Sequence, residues 1–185
     1  NPSSIIDNYG ADTARWFMLS DSPPERDLEW TDVGVTSSHK FINKIWETCI
    51  RTKNYKTSGN LLKTNKFNSL IKSVSENIEK FHFNKSVANI YEYVNEINKS
   101  MDKKTISSDG LKSAAKNLCI IIHPFTPHLS EEIWELLGHK GFCANASWPE
   151  FKINDVVDKI DLPVQLNGKL KGLISVKNNE KEELV

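Results

Sequence analysis

The sequence predicts a mainly α-helical protein: an antiparallel helical bundle followed by a short C-terminal β-hairpin. Three observations carry this. Between Thr31 and Gly138, apolar residues recur at three- and four-residue steps in successive segments. Glycine, proline and polar clusters separate those segments. Near Asp161 the pattern changes to strand-like runs, Val164 to Leu166 and Lys169 to Val176, joined by Asn167-Gly168. Asn-Gly between such runs is a strong hairpin signal, because both residues accept the positive φ of a type I′ turn.

In order, Ser3 or Ser4 caps a short helix that Gly10 stops. A second helix covers Ala11 to Ser20. Its Ala14, Trp16, Phe17, Met18 and Leu19 spread around the circumference, which predicts burial on several sides. Pro23 and Pro24 forbid its continuation. Thr31-Asp32 starts a long helix to about Tyr55, with Val35, Phe41, Ile42, Ile45, Trp46, Cys49 and Ile50 on one face. A loop around Ser58-Gly59-Asn60 leads to a helix over 65–82, with Phe67, Leu70, Ile71, Val74, Ile78 and Phe81 facing the core. Asn84 restarts a helix carrying Val87, Ile90, Tyr91, Val94, Ile97 and Met101. Lys103 to Gly110 reads as a loop, and Leu111 to His123 as a helix. Thr126 is placed to cap the next helix, with Pro127 at its first position and Gly138 as its stop. Trp148 and Phe151 pin the following loop to the bundle. Asn178 to Val185 reads as the beginning of another helix.

Composition excludes several classes. The formal net charge is zero, so only local patches can argue for a nucleic-acid partner. Cys49, Cys119 and Cys143 are odd in number and widely spaced, which argues against a disulfide framework and for a reducing compartment. No run of about 18 apolar residues exists to span a membrane as a helix. The chain begins Asn1-Pro2 and stops within an apparent helix, so it reads as a piece of a longer protein.

No phosphate-binding glycine loop and no Gly-x-Ser-x-Gly elbow occurs. Cys119 and His123, with His139 and Cys143, have conceivable zinc-ligand spacing. Cys119 sits in an apolar run, however, and reads better as a small core residue. Glu131 and Glu132 suit the helix dipole and do not face each other, which argues against acid–base machinery. His128 reads as a neutral histidine bonded to nearby backbone. We therefore expect no catalytic residue and no metal site.

The most basic stretch is His39 to Lys56, where Lys40, Lys44, Arg51, Lys53 and Lys56 accompany a single Glu47. Cations on the outer face of an amphipathic helix can follow a phosphate backbone. The alternative is an ordinary solvated helix face. Lys169 and Lys171 form a second patch beside the hairpin turn, where lysines can equally protect a strand edge.

The runs Tyr9-Gly10-Ala11-Asp12-Thr13-Ala14-Arg15 and Ser22-Pro23-Pro24-Glu25-Arg26-Asp27-Leu28-Glu29-Trp30 resemble the bacterial leucyl-tRNA synthetases. So do Phe41 to Trp46, His123 to Gly138, Ser147-Trp148-Pro149 and Val164 to Lys169, in the family's order. Gly-Ala-Asp is shared with the isoleucyl and valyl enzymes; the Pro-Pro-Glu-Arg-Asp-Leu-Glu-Trp segment and the final hairpin favour the leucyl family.

The resemblance implies a class I synthetase anticodon-binding-type helical domain. Residues 1–30 would connect it to a preceding catalytic domain, residues 31–160 would form the bundle, and residues 161–185 would open a C-terminal α/β domain. The catalytic and editing domains and the KMSKS loop would precede Asn1. The parent would be a cytoplasmic ligase joining leucine to its tRNA with ATP and Mg2+; this portion would need no cofactor and would dock leucine tRNA. Lys40, Lys44, Arg51, Lys53, Lys169 and Lys171 are the candidate contacts. Two alternatives stand: a bundle that only braces the catalytic domain, and the equivalent domain of an isoleucyl or valyl enzyme. Arg15 reads as a structural ion-pair partner.

Overall fold

The computed structural model of the 185-residue chain describes residues 2–20, 25, 27, 29–57, 64–151, 159–166 and 169–177, the strands as backbone. It divides into two compact units, Asn1–Phe151 and Lys152–Val185. The division precedes the expected break after residue 160.

The first unit is helical: α1 (Pro2–Tyr9), α2 (Ala11–Ser20), α3 (Asp32–Asn54), α4 (Thr64–Glu79), α5 (Phe83–Asp102), α6 (Ser108–Ile122) and α7 (Pro127–Leu136), then a 3-10 turn at Cys143–Asn145. Gly10 separates α1 from α2 with φ +83°, and its N–H bonds Ile6 O at 2.8 Å. Thr31 caps α3 as expected, its Oγ1 accepting from Gly34 N at 3.2 Å. The predicted stops at Pro23-Pro24 and Ser58-Gly59-Asn60 lie outside the described residues.

Several boundaries differ from the expectation for identifiable reasons. The fourth helix stops at Glu79 instead of continuing to His82. Phe81 adopts φ +57°; its N–H bonds Ile78 O and the His82 N–H bonds Asn77 O. Those two bonds form a Schellman cap, with phenylalanine where glycine is usual. Phe81, placed by its spacing on the core face, is therefore exposed. α6 begins at Ser108 instead of Leu111, because Ser107 Oγ accepts the Gly110 N–H at 3.0 Å. Polar Ser107 to Gly110 resembles a loop in sequence but is a capped first turn. Met18 on α2 is 57% exposed, while Trp16 and Phe17 are buried, so α2 is less enclosed than its composition suggests.

The core is one cluster drawn from α2 to α7. Trp16 is fully buried, with its ring 5.2 Å from Phe41, 5.9 Å from Phe125 and 6.0 Å from Tyr91. Tyr93 is also fully buried and donates from its hydroxyl to Ala114 O at 3.1 Å. Spacing had singled out Tyr91, which is only half-buried, because the two tyrosines sit on either side of the apolar stripe. The loop after α7 is fastened by Trp148, whose indole N–H donates to Ser75 Oγ at 2.8 Å.

In the second unit, β1 (Lys159–Leu166) and β2 (Lys169–Lys177) pair antiparallel, from Lys159 opposite Lys177 to Leu166 opposite Lys169. β1 starts earlier than the expected Val164. Val164 faces Gly172 and Gln165 faces Leu170, so Lys171 is the extra residue of a bulge. The expected Asn167-Gly168 turn and the helix over Asn178 to Val185 lie outside the described residues.

Candidate nucleic-acid interface

Helix α3 buries Val35, Phe41, Ile42, Ile45 and Cys49 and leaves Lys40, Lys44, Arg51 and Lys53 exposed. These cations are not equivalent. Lys44 donates to Asn95 Oδ1 at 2.8 Å. Arg51 donates to Asn98 Oδ1 and pairs with Asp102 at 2.7 Å. Between them, Asn98 Nδ2 donates to Thr48 Oγ1 at 2.8 Å. Lys44, Thr48 and Arg51 on α3 thus meet Asn95, Asn98 and Asp102 on α5 in a polar ladder, in the same chain direction. That is the relation expected of alternate helices in an up-and-down bundle. Arg51 and Asp102 side chains are 50% and 63% exposed, so this pair contributes little, up to about 1 kcal/mol. The ladder was legible in principle, since residues 95, 98 and 102 share one face of α5.

Lys40, Lys53 and Lys56 are exposed and make no ion pair among the described residues. Lys53 and Lys56 line an open cleft of about 570 Å³ with Tyr55, Thr57, Ser108 and Lys112. Ser108 Oγ accepts the Thr57 N–H at 3.0 Å and lies 3.3 Å from Thr57 O, tying the end of α3 to the start of α6. Lys112 was not among the residues expected from sequence, because it comes from a helix read as structural. On β2, Lys169 pairs with Leu166 and Lys171 is the bulged residue; their side chains are outside the described residues.

The polar residues of α2 serve the α6–α7 turn instead. Asp12 Oδ2 accepts the Leu129 N–H at 2.7 Å, and Asp12 Oδ1 lies 3.0 Å from His128 Nδ1. Leu129 is the third residue of α7, so Asp12 fills the role of its N-cap side chain from a distant helix. Thr126, expected to cap α7, instead directs its hydroxyl to Ile122 O at 3.3 Å and makes no cap bond. Arg15 Nη2 donates to Pro124 O at 2.8 Å, and Nε donates to Phe125 O at 3.1 Å. Arg15 therefore holds carbonyls beyond the end of α6 and not the carboxylate expected of an ion-pair partner. His128 likewise faces a carboxylate and not backbone.

Glu131 has a comparable structural task. Its carboxylate accepts the N–H groups of Cys143 at 2.7 Å and Ala144 at 2.9 Å, with His123 Nε2 at 3.2 Å. Burial pushes this carboxyl up, but the two amides and His123 outweigh it and hold it below its ordinary value. The fastened turn brings Cys143 into the core, where Ser130 Oγ lies 3.4 Å from its Sγ and donates to Cys119 O. All three cysteines are buried thiols, and burial pushes Cys49 up to about 12. His139 packs against Trp134 with ring centroids 4.3 Å apart and planes tilted by 37°; burial, then Lys116, lowers its tendency to protonate. Among the described residues, no three His, Cys, Asp or Glu side chains gather as a metal would need. No helix among them is long and apolar enough to cross a membrane.

A helical bundle with polar seams, an exposed basic corner and a clasped α6–α7 turn is the class of scaffold that presents cations on a rigid frame. The family described as the anticodon-binding domain of tRNA ligase matches residues 64–185, and the chain belongs to that family. It is 43% identical over 177 residues to the leucine–tRNA ligase of Zymomonas mobilis subsp. mobilis, covering 95% of this chain and 20% of that protein. It is 42% identical over 183 residues to the leucine–tRNA ligase of Ruegeria pomeroyi, covering 95% and 21%. A solved ternary complex of Agrobacterium radiobacter K84 LeuRS with tRNA and LeuAMS superposes with a TM-score of 0.75 at 26% identity, over 99% of this chain and 25% of that one. The chain spans about a fifth of the length of the curated relatives it matches.

Proposed function

We propose that this chain is the tRNA-docking portion of a leucyl-tRNA synthetase. The parent enzyme is a cytoplasmic ligase that joins leucine to its tRNA using ATP and Mg2+. Its catalytic and editing domains belong to the same polypeptide, and this portion carries no catalytic residue and no cofactor of its own. The strand pair opens the C-terminal domain. The observation that carries this reading is the likeness, along nearly the entire chain, to a synthetase solved together with tRNA. The exposed cations of α3 support it physically, because phosphate contacts orient an RNA without reading its sequence.

The test is binding of leucine tRNA to the intact polypeptide across a salt series. Affinity should fall steeply with salt, and Lys40, Lys44 and Arg51 changed together to Glu should weaken it further. Salt-independent binding, or no change in the triple variant, would remove α3 as the docking face. Aminoacylation with leucine, isoleucine and valine separates the leucyl reading from its relatives.

A second reading is favoured by a specific observation. Lys44 and Arg51 are engaged with α5, and Ile6, Met18, Trp30 and Val33 are exposed near the N-terminal end. A bundle that only braces the catalytic domain would show these features. In that case, removing the bundle would lower stability while the tRNA contacts lay elsewhere.

A further inference from the structure

The cleft between the end of α3 and the first turn of α6 combines features that the rest of the basic stretch lacks. Lys53 and Lys56 approach from one helix end and Lys112 from the other. The C-terminus of α3 and the N-terminus of α6 meet here, so their macrodipoles offset each other. Among the described residues the side chains set the potential: three ammonium groups line the cleft, and the carboxylate of Asp109 lies 3.3 Å from Lys112 in a highly exposed pair. Ser108 and Thr57 hold the two walls together, so the lysine stems emerge from a fixed base. Tyr55 also lines the cleft.

Lys53 and Lys56 make no ion pair among the described residues, whereas the heads of Lys44 and Arg51 already serve the ladder to α5. We propose that the Lys53–Lys56–Lys112 cleft is a phosphodiester-binding site for an RNA backbone, and that it is the principal anchor of the basic face. The proposal rests on the tRNA-docking reading and narrows it from a helix face to one corner. A compact ammonium is suited to a phosphate as a point charge, without demanding the two-pronged geometry of arginine. Such contacts weaken every RNA equally when lost and lower the salt dependence of binding.

The experiment compares two triple variants of the intact polypeptide by titrating labelled leucine tRNA across a salt series. One carries Lys53→Gln, Lys56→Gln and Lys112→Gln. The other carries Lys66→Gln, Lys72→Gln and Lys99→Gln, which removes the same charge from paired lysines on α4 and α5. The cleft variant should lose at least about tenfold in affinity and reduce the slope of log K against log salt by about 1. The control should change by less than about threefold, and thermal melts should be alike. Equal losses in both variants, or no loss in the cleft variant while the native protein binds tRNA, would overturn the cleft and leave tRNA docking standing. No binding of tRNA by the native protein would overturn both. Inorganic phosphate provides the last arm. If it displaces tRNA at low millimolar concentration without matching chloride at equal ionic strength, the cleft is a small-anion pocket and the backbone assignment fails.

Discussion

Asp12 Oδ2 accepts the backbone N–H of Leu129 at 2.7 Å across 117 positions of sequence. One turn further along α2, Arg15 grips the carbonyls of Pro124 and Phe125. A single helix thus satisfies donors at the start of α7 and acceptors just past α6, with the sign of charge each helix end favours. The stretch around Gly10-Ala11-Asp12 is a clasp on the α6–α7 corner, and its charged residues have work other than touching RNA.

Removing the cap should be costly. Asp12→Ala is expected to lower stability by about 1–2 kcal/mol in urea unfolding, the range for a lost helix N-cap. Asp12→Asn should retain most of it, because an amide oxygen still accepts from Leu129. An alanine variant within about 0.5 kcal/mol of the native protein would show that the bond is incidental.

Arg15 bonds two carbonyls with one planar fork. Arg15→Lys should therefore lose nearly as much as Arg15→Met, about 1 kcal/mol. Full recovery by lysine, read from the same unfolding curves, would mean that charge alone suffices.

At Gly34 two effects compete. A methyl group there would gain about 1 kcal/mol of helix propensity. It would also press into the edge of the buried Phe17 ring and lie 2.8 Å from Thr31 Oγ1, the atom that caps α3. Overpacking of this kind costs about 1–3 kcal/mol. Gly34→Ala should therefore destabilise, and a rise in melting temperature would contradict the close α2–α3 approach.

Lys104 ends α5 at φ +51°, with its N–H on Met101 O and the Thr105 N–H on Ser100 O. The left-handed conformation costs a side chain about 1–2 kcal/mol, partly offset by the greater freedom of glycine when unfolded. Lys104→Gly should raise the melting temperature, and Lys104→Val should lower it.

Glu131 predicts a pH dependence. Its folded carboxyl is held below the ordinary value by Ala144, Cys143 and His123 against the opposing effect of burial. A depressed carboxyl adds stability above its unfolded pKa, and that stability is lost as pH falls through the folded value. Glu131→Gln should cost about 1 kcal/mol at neutral pH, by analogy with a lost cap. The difference from the native protein should begin to shrink below about pH 4 and vanish only below the depressed folded value, and a constant difference down to pH 2 would exclude the carboxylate as the cause.

Much of the fold is legible because helices are local. The steps from Val35 to Cys49 and from Val87 to Met101, the Thr31 cap and the Gly10 stop depend on residues within a few positions of each other. Phe81 and Ser107 misled for a related reason: each end is decided by backbone bonds that compete with the side-chain pattern.

The interface was less legible. Sequence alone determined that α3 is basic and that its apolar face is buried, because both follow from spacing along one helix. Which cations remain free was decided by tertiary structure. Asn95, Asn98 and Asp102 engage Lys44 and Arg51 from another helix, while Lys112 joins Lys53 and Lys56 from a third. Likewise, Asp12 and Arg15 stand on one helix in the sequence, but only packing brought them to the two sides of one turn. Charges and caps act over a few ångströms, and folding makes neighbours of residues more than a hundred positions apart.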